Sequence, residues 1–369
     1  MRFCIGLVVG LCMGTVTVTA GAITAEERER TYAQLTLFAK VLNLVQNGYV
    51  EDLPPERLVD GAIRGLVAQL DGHSRYLSKE EVEALRPRPP PAHVGLRFGA
   101  VRDRGRLVED VLPEGSAARA GLRVGDLVLA LEERPLAELE LSDIHRRLEG
   151  EDGQILSLSL PGSQGPRELR LPRQRLRPFH VRSERHGPFG RLVIERFTVD
   201  TPLDVRRNLE RLGALDGLVI DLRGNPGGLV ASAARVADLW MKEGTIVSTE
   251  ARGRVLEKLV AHPRGTEPDY PLVVLVDEQT ASAAEILTAA LEASRRARVV
   301  GARTFGKGTV QTIAELEDGS ALKLTVARHY SPSHQSIQGR GISPDVVVRG
   351  GRGRRDLGME TALQVLSGR

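Results

Sequence analysis

The chain has 369 residues, 51 Lys plus Arg against 48 Asp plus Glu, and a net charge of +3. That length can bury the cores of two or three modest domains, and so small a charge gives no electrostatic ground for a nucleic-acid partner. The only cysteines, Cys4 and Cys12, lie in the first dozen residues. A chain that loses this segment has no thiol for a cysteine nucleophile, a thiolate-bound metal or a disulfide.

Residues 1–22 hold no charge beyond Arg2 and end in the small residues Ala20, Gly21 and Ala22. They read as a secretory signal peptide, with an uncleaved membrane anchor as the alternative. Either reading places the folded part across a membrane, in the periplasm or cell envelope. Residues 24–86 form an N-terminal helical region. Tyr32, Leu35, Leu37, Val41, Leu42 and Val45 recur at helical spacing, Pro55 suits the first turn of a second helix, and a short acidic helix runs from about Lys79 to Leu85. The run Arg86-Pro87-Arg88-Pro89-Pro90-Pro91 is a stiff linker.

Short strands and turns fill residues 93–175, with a strand expected over Asp126–Leu131 and a helix over Ser142–Leu148. From 176 to 349 the pattern becomes strand, turn and helix, as in a layered α/β domain. Leu218–Leu222 is a near-continuous apolar run typical of a buried strand, and Leu229–Trp240 is expected to be a helix with Trp240 in the core. Residues 350–369 form a tail with a final helix near Leu357–Leu366, whose partner the sequence does not name.

Three segments carry candidate chemistry. Asp221-Leu222-Arg223-Gly224-Asn225-Pro226-Gly227-Gly228 runs from a strand into a Gly-rich turn whose free N–H groups suit an anion. Asp277-Glu278-Gln279-Thr280-Ala281-Ser282-Ala283-Ala284-Glu285 runs from a strand into a helix, and Ser282 is either an N-cap or a nucleophile beside the Ala283 N–H. Thr304-Phe305-Gly306-Lys307-Gly308-Thr309-Val310-Gln311 holds Lys307, one of only six lysines. A desolvated Lys can serve as a general base, and strand alternation would turn Gln311 the same way as Lys307.

With Asp71-Gly72-His73-Ser74-Arg75-Tyr76-Leu77 and Ser336-Ile337-Gln338-Gly339-Arg340-Gly341-Ile342, these segments resemble the carboxyl-terminal processing, or tail-specific, proteases of the serine–lysine type. Gly115-Ser116-Ala117-Ala118-Arg119-Ala120-Gly121-Leu122 and Gly125-Asp126 resemble a PDZ domain, with Gly95, Leu96, Arg97 and Phe98 at its carboxylate loop. The resemblance implies an α+β multidomain fold: the helical region, the PDZ domain and a crotonase/Clp-like α/β peptidase core. It also implies Ser282 and Lys307, twenty-five residues apart, as the catalytic pair, with Gln311 assisting. The Ala283 N–H and a Gly of the Gly-rich turn, Gly227 or Gly228, would form the oxyanion hole. No metal or cofactor is called for. The implied partners are protein or peptide substrates with apolar C-termini and an adaptor lipoprotein, with the chain itself a homo-oligomer. Three other readings stand beside this one: a Ser–His–Asp hydrolase using His329 or His334, a catalytically silent scaffold, and a latent peptidase that the PDZ domain holds closed until a tail or an adaptor binds.

Overall fold

The computed structural model describes residues 24–86, 90–163, 165–348 and 355–368. The expected signal segment 1–22 and most of the Arg- and Gly-rich stretch after Val348 lie outside them. Among the described residues, no helix is long and apolar enough to cross a membrane. The chain divides into two compact units.

The first unit takes residues up to Arg86, Glu195–Pro202 and everything from Leu215 onward. Its parallel strands lie in the order Val346–Val347, Arg298–Gly301, Leu272–Val276 and Gly217–Asp221. The strands Gly217–Asp221 and Leu272–Val276 are buried at every position, which explains their near-continuous apolar sequence. The helix Ala283–Ala293 is buried along nearly its whole length, so Ala and Leu fill all its faces rather than one stripe. The final helix, Leu357–Leu366, packs on the parallel sheet through Met359, Ala362 and Leu366, which supplies the partner the sequence left open.

A second, antiparallel sheet in this unit runs Arg75–Leu77, Ala321–Tyr330, Thr245–Ala251, Arg254–Val260, with Thr309–Glu315 also paired to Ala321–Tyr330. The segment after the expected turn at Asp71–Ser74 is therefore a strand, and it carries buried Tyr76 and Leu77 into the sheet. By contrast, the 24-residue helix Ala25–Gly48, closed by a Thr24–Glu27 capping box, buries none of its residues. Trp240 is in the core as expected and donates its Nε1–H to the Tyr270 hydroxyl at 3.1 Å. The helix before it is shorter than expected, Val230–Ala237. His329 is buried against Thr249, with Nδ1 and Oγ1 3.1 Å apart.

The second unit comprises Pro87–Ile194 and Leu203–Ala214. Its core gathers Leu96, Phe98, Val108, Leu131, Ile144, Leu156, Leu158 and their neighbours between a three-stranded and a four-stranded sheet. The expected single strand over Asp126–Leu131 is two short ones, Leu127–Val128 and Ala130–Leu131, each in a different sheet. The break falls at Leu129, whose N–H donates to Ser159. The helix Leu141–Leu148 falls where the apolar spacing puts it. A hairpin of Val181–His186 and Phe189–Ile194 completes the unit.

Candidate active site

Gly217–Asp221, Leu272–Val276 and Arg298–Gly301 are neighbouring parallel strands, so the three loops that follow them emerge at the same carboxyl edge. That edge is where open α/β sheets hold their ligands. The three loops are the three segments singled out from sequence.

The first two loops are tied together by their backbones. Asp277 Oδ1 accepts the Gly224, Gln279 and Thr280 N–H groups, each at 3.0 Å. The Thr280 hydroxyl donates to the Leu222 carbonyl at 2.9 Å, and the Ala281 N–H donates to the Asn225 carbonyl at 2.9 Å. This stitching brings Gly227 against Ser282. A Cβ on Gly227 would lie 2.7 Å from the Ser282 Cβ and 3.0 Å from the Ala283 nitrogen. Only glycine permits that approach.

Ser282 sits at φ 57°, ψ −119°, directly before the helix Ala283–Ala293. An ordinary N-cap serine takes an extended backbone. A positive φ with this ψ is instead strained for a residue with a side chain, and such strain clusters at active sites. The Ala283 and Gly228 N–H groups donate to no acceptor among the described residues, although Ala283 is fully buried. A buried donor left unpaired is costly unless a ligand takes its bond. The Gly227 N–H is already engaged by Asn225 Oδ1 at 2.8 Å. Of the two glycines proposed from sequence, Gly228 therefore has the available donor.

Sequence reasoning missed Glu285. Its side chain is fully buried, and four donors converge on its carboxylate. Oε1 accepts the Thr304 hydroxyl at 2.5 Å and the Gly306 N–H at 2.7 Å. Oε2 accepts the Ser282 and Lys307 N–H groups, both at 2.8 Å. One carboxylate thus holds the serine turn and the lysine loop together. The pattern Ser282-x-x-Glu285 was the available signal, but it reads as a capping box.

Lys307 is half-buried, and its Nζ makes no hydrogen bond or ion pair among the described residues, including with Ser282 Oγ. Strand alternation does not reach from Gln311 back to Lys307, because Lys307 lies in the loop before the strand Thr309–Glu315; the register shift after Val310 puts its extra residue, Val326, on the paired strand Ala321–Tyr330. The Gln311 amide donates instead to the Thr309 hydroxyl at 2.6 Å. The loop is braced from the other side. Gln338 Oε1 accepts the Gly308 N–H at 3.0 Å, and its amide lies 3.1 Å from His73 Nε2 in the Asp71–Ser74 turn.

In the second unit, Leu96 and Phe98 are core residues and the Gly95 N–H donates to His93 Nδ1 at 3.1 Å. Arg97 is buried. Its guanidinium bonds Asp110 at 3.2 Å and the Val181 carbonyl at 3.0 Å, and it lies 5.0 Å from the Phe179 ring centroid. Its charge is thus spent inside the unit.

Models of known families match three parts of the chain: the activating protease CtpB N-terminal domain over residues 15–81, a PDZ domain over 107–160 and peptidase family S41 over 188–348. The carboxy-terminal-processing protease of Bartonella bacilliformis is 32% identical over 345 residues, covering 90% of this chain and 79% of that one. The chain belongs to the carboxy-terminal-processing protease family. As an S41 member it is a serine-type peptidase, built from a helical N-terminal region, a PDZ domain and an α/β peptidase core. A probable CtpA-like serine protease of Staphylococcus aureus is 28% identical over 322 residues, and this family member spans 65% of that protein's length. Among solved structures, the photosystem II D1 C-terminal processing protease is similar with a TM-score of 0.52 and 29% identity, over 86% of this chain and 93% of that one. A putative S41 protease from Bacteroides fragilis shares the fold at a TM-score of 0.50 and 18% identity, over 89% and 97%.

Proposed function

We propose that this chain is an endopeptidase acting through a Ser282–Lys307 dyad on proteins whose apolar C-terminal tails its PDZ domain reads. The observation that carries this reading is the Ser282 turn: a strained nucleophile conformation flanked by the two unpaired N–H groups of Ala283 and Gly228. Lys307 takes the Ser282 proton as Oγ attacks the scissile carbonyl. The two N–H groups hold the oxyanion, and Lys307 passes the proton to the leaving amine. Water, deprotonated in turn by Lys307, then hydrolyses the acyl-enzyme. With no Ser282–Lys307 bond present, the flexible lysine stem must swing to close the pair when substrate arrives. Gln311 would assist by exchanging its Thr309 bond for one to the amine.

The test uses purified chain and an unfolded reporter protein ending in an apolar tail. Ser282→Ala, Lys307→Ala and Lys307→Arg each abolish cleavage, the last because a guanidinium cannot give up its proton at working pH. Turnover by Ser282→Ala overturns the nucleophile assignment.

We also infer export to the cell envelope from segment 1–22, which holds no charge beyond Arg2. A homo-oligomer and an adaptor lipoprotein are the partners that the family resemblance suggests. Fractionation of cells producing the tagged chain tests the first, and recovery of the protein in the cytoplasm overturns it.

A further inference from the structure

The final helix is capped by Asp356, whose carboxylate does two things. It caps the helix by accepting the Met359 N–H at 3.0 Å. It also meets Arg223 of the Gly-rich turn end-on, with Nη1 to Oδ1 at 2.7 Å and Nη2 to Oδ2 at 2.8 Å. The same guanidinium grips Asp221, with Nε to Oδ1 at 3.0 Å and Nη2 to Oδ2 at 2.7 Å. Burial disfavours the charge on Arg223, but the bonds to Asp356 and Asp221 outweigh it and raise its pKa. Such fork-on-fork pairs fix orientation as well as supplying energy. Gly358 is part of the fit, since a Cβ there would stand 3.2 Å from Arg223 Nη1 and 3.3 Å from Leu275 Cδ1. The helix carrying Asp356 is immobilised in turn by its buried Met359, Ala362 and Leu366.

Arg223 stands five residues before Gly228. Between them the turn is pinned by Gly224 to Asp277 and by Asn225 to Ala281 and Gly227. We propose that Asp356 is a positioning residue for the peptidase: through Arg223 it sets the Gly-rich turn so that the Gly228 N–H faces the reacting carbonyl. The last helix of the chain thereby becomes part of the catalytic apparatus, although it contributes no group to the reaction. This rests on the oxyanion role given to Gly228 above.

The test is steady-state kinetics of the full chain on the same reporter, at a temperature well below each variant's Tm. Asp356→Ser keeps an acceptor for the Met359 N–H and so preserves the cap, while removing the carboxylate from Arg223. Loss of one aligned oxyanion donor costs about 100-fold or more, and a shifted turn part of that. A fall in kcat of about 10- to 100-fold with KM within about twofold is therefore expected. Asp356→Glu should recover most of the rate, and Arg223→Gln/Asp356→Ser should be no slower than Arg223→Gln alone. If Asp356→Ser fails to fold, Asp356→Asn carries the same test. A lowered Tm with unchanged kcat makes Asp356 a structural residue only and overturns the proposal. Ser282→Ala, measured alongside, separates the two readings. Activity in that variant defeats the nucleophile assignment, whereas an inactive Ser282→Ala beside a fully active Asp356→Ser defeats this inference alone.

Discussion

Glu285→Gln changes one atom of a buried side chain and leaves its volume intact, so its effect isolates the hydrogen bonds. Each carboxylate oxygen receives two donors: Oε1 from Thr304 and Gly306, Oε2 from Ser282 and Lys307. A glutamine must turn one oxygen into an NH2 group, which cannot accept. Facing Ser282 and Lys307, that NH2 would strand two backbone donors. Facing Thr304 and Gly306 it strands only one, because the Thr304 hydroxyl can accept instead. The second orientation is therefore favoured. It costs one buried unsatisfied donor, about 1–3 kcal/mol, and weakens the remaining charge-assisted bonds by about 1 kcal/mol more. Thr304 must also rearrange while still accepting the Ile342 N–H at 2.7 Å. The lysine loop should loosen against the serine turn, and a misplacement near 1 Å costs about 100-fold in rate. The assay is kcat/KM on the tailed reporter together with urea unfolding. Loss of about 2–4 kcal/mol and of about two orders of magnitude in kcat/KM is expected. A variant within threefold of wild-type kcat/KM would refute the claim that this carboxylate couples the two loops.

Gly227→Ala places a Cβ 2.7 Å from the Ser282 Cβ and 2.8 Å from the Ala281 carbonyl oxygen at φ +102°. The strained φ alone costs about 1–3 kcal/mol, and the displaced serine should lower kcat/KM about 100-fold, so a near-normal kcat/KM counts against the packing described. Burial pushes the His329 pKa down to about 4. Its unfolded value is near 6.5, so the unfolded chain binds the extra proton and stability is full above about pH 6.5, then lost as pH falls toward 4. That interval is worth about 3 kcal/mol, read as a fall in the unfolding midpoint of Trp240 fluorescence that His329→Gln flattens. Equal pH slopes in the two proteins would show that His329 contributes nothing.

Much of this site can be read along the chain because its motifs are local. The strand into Ser282, the small residues around it and the helix after it form one unbroken run, Leu272–Ala293. What joins them does not. Glu285 meets Thr304, Gly306 and Lys307 only after Arg298–Gly301 has paired beside Leu272–Val276, and no local period encodes that. Alternation relates Gln311 only to Thr309, where the strand begins, and Lys307 lies in the loop before it, where a two-residue period has no meaning. The strand Arg254–Val260 is exposed at nearly every position, so it lacks the half-buried alternation that marks a strand. The final helix was legible as a helix, but its Asp356 met Arg223 across 133 residues of sequence.

The backbone angle at Ser282 sets fitness of fold against fitness of function at a single codon. Glycine would occupy φ 57°, ψ −119° without the penalty a side chain incurs there, about 1–3 kcal/mol, less about 0.5–1 kcal/mol for the greater freedom of its unfolded chain. A Ser282→Gly protein should accordingly be inert yet harder to unfold than its parent, whereas Ser282→Ala stays inert and strained. The glycine variant is then the better bait for holding an uncut substrate long enough to identify it. Any descendant freed from selection for cleavage has a thermodynamic incentive to drift the same way.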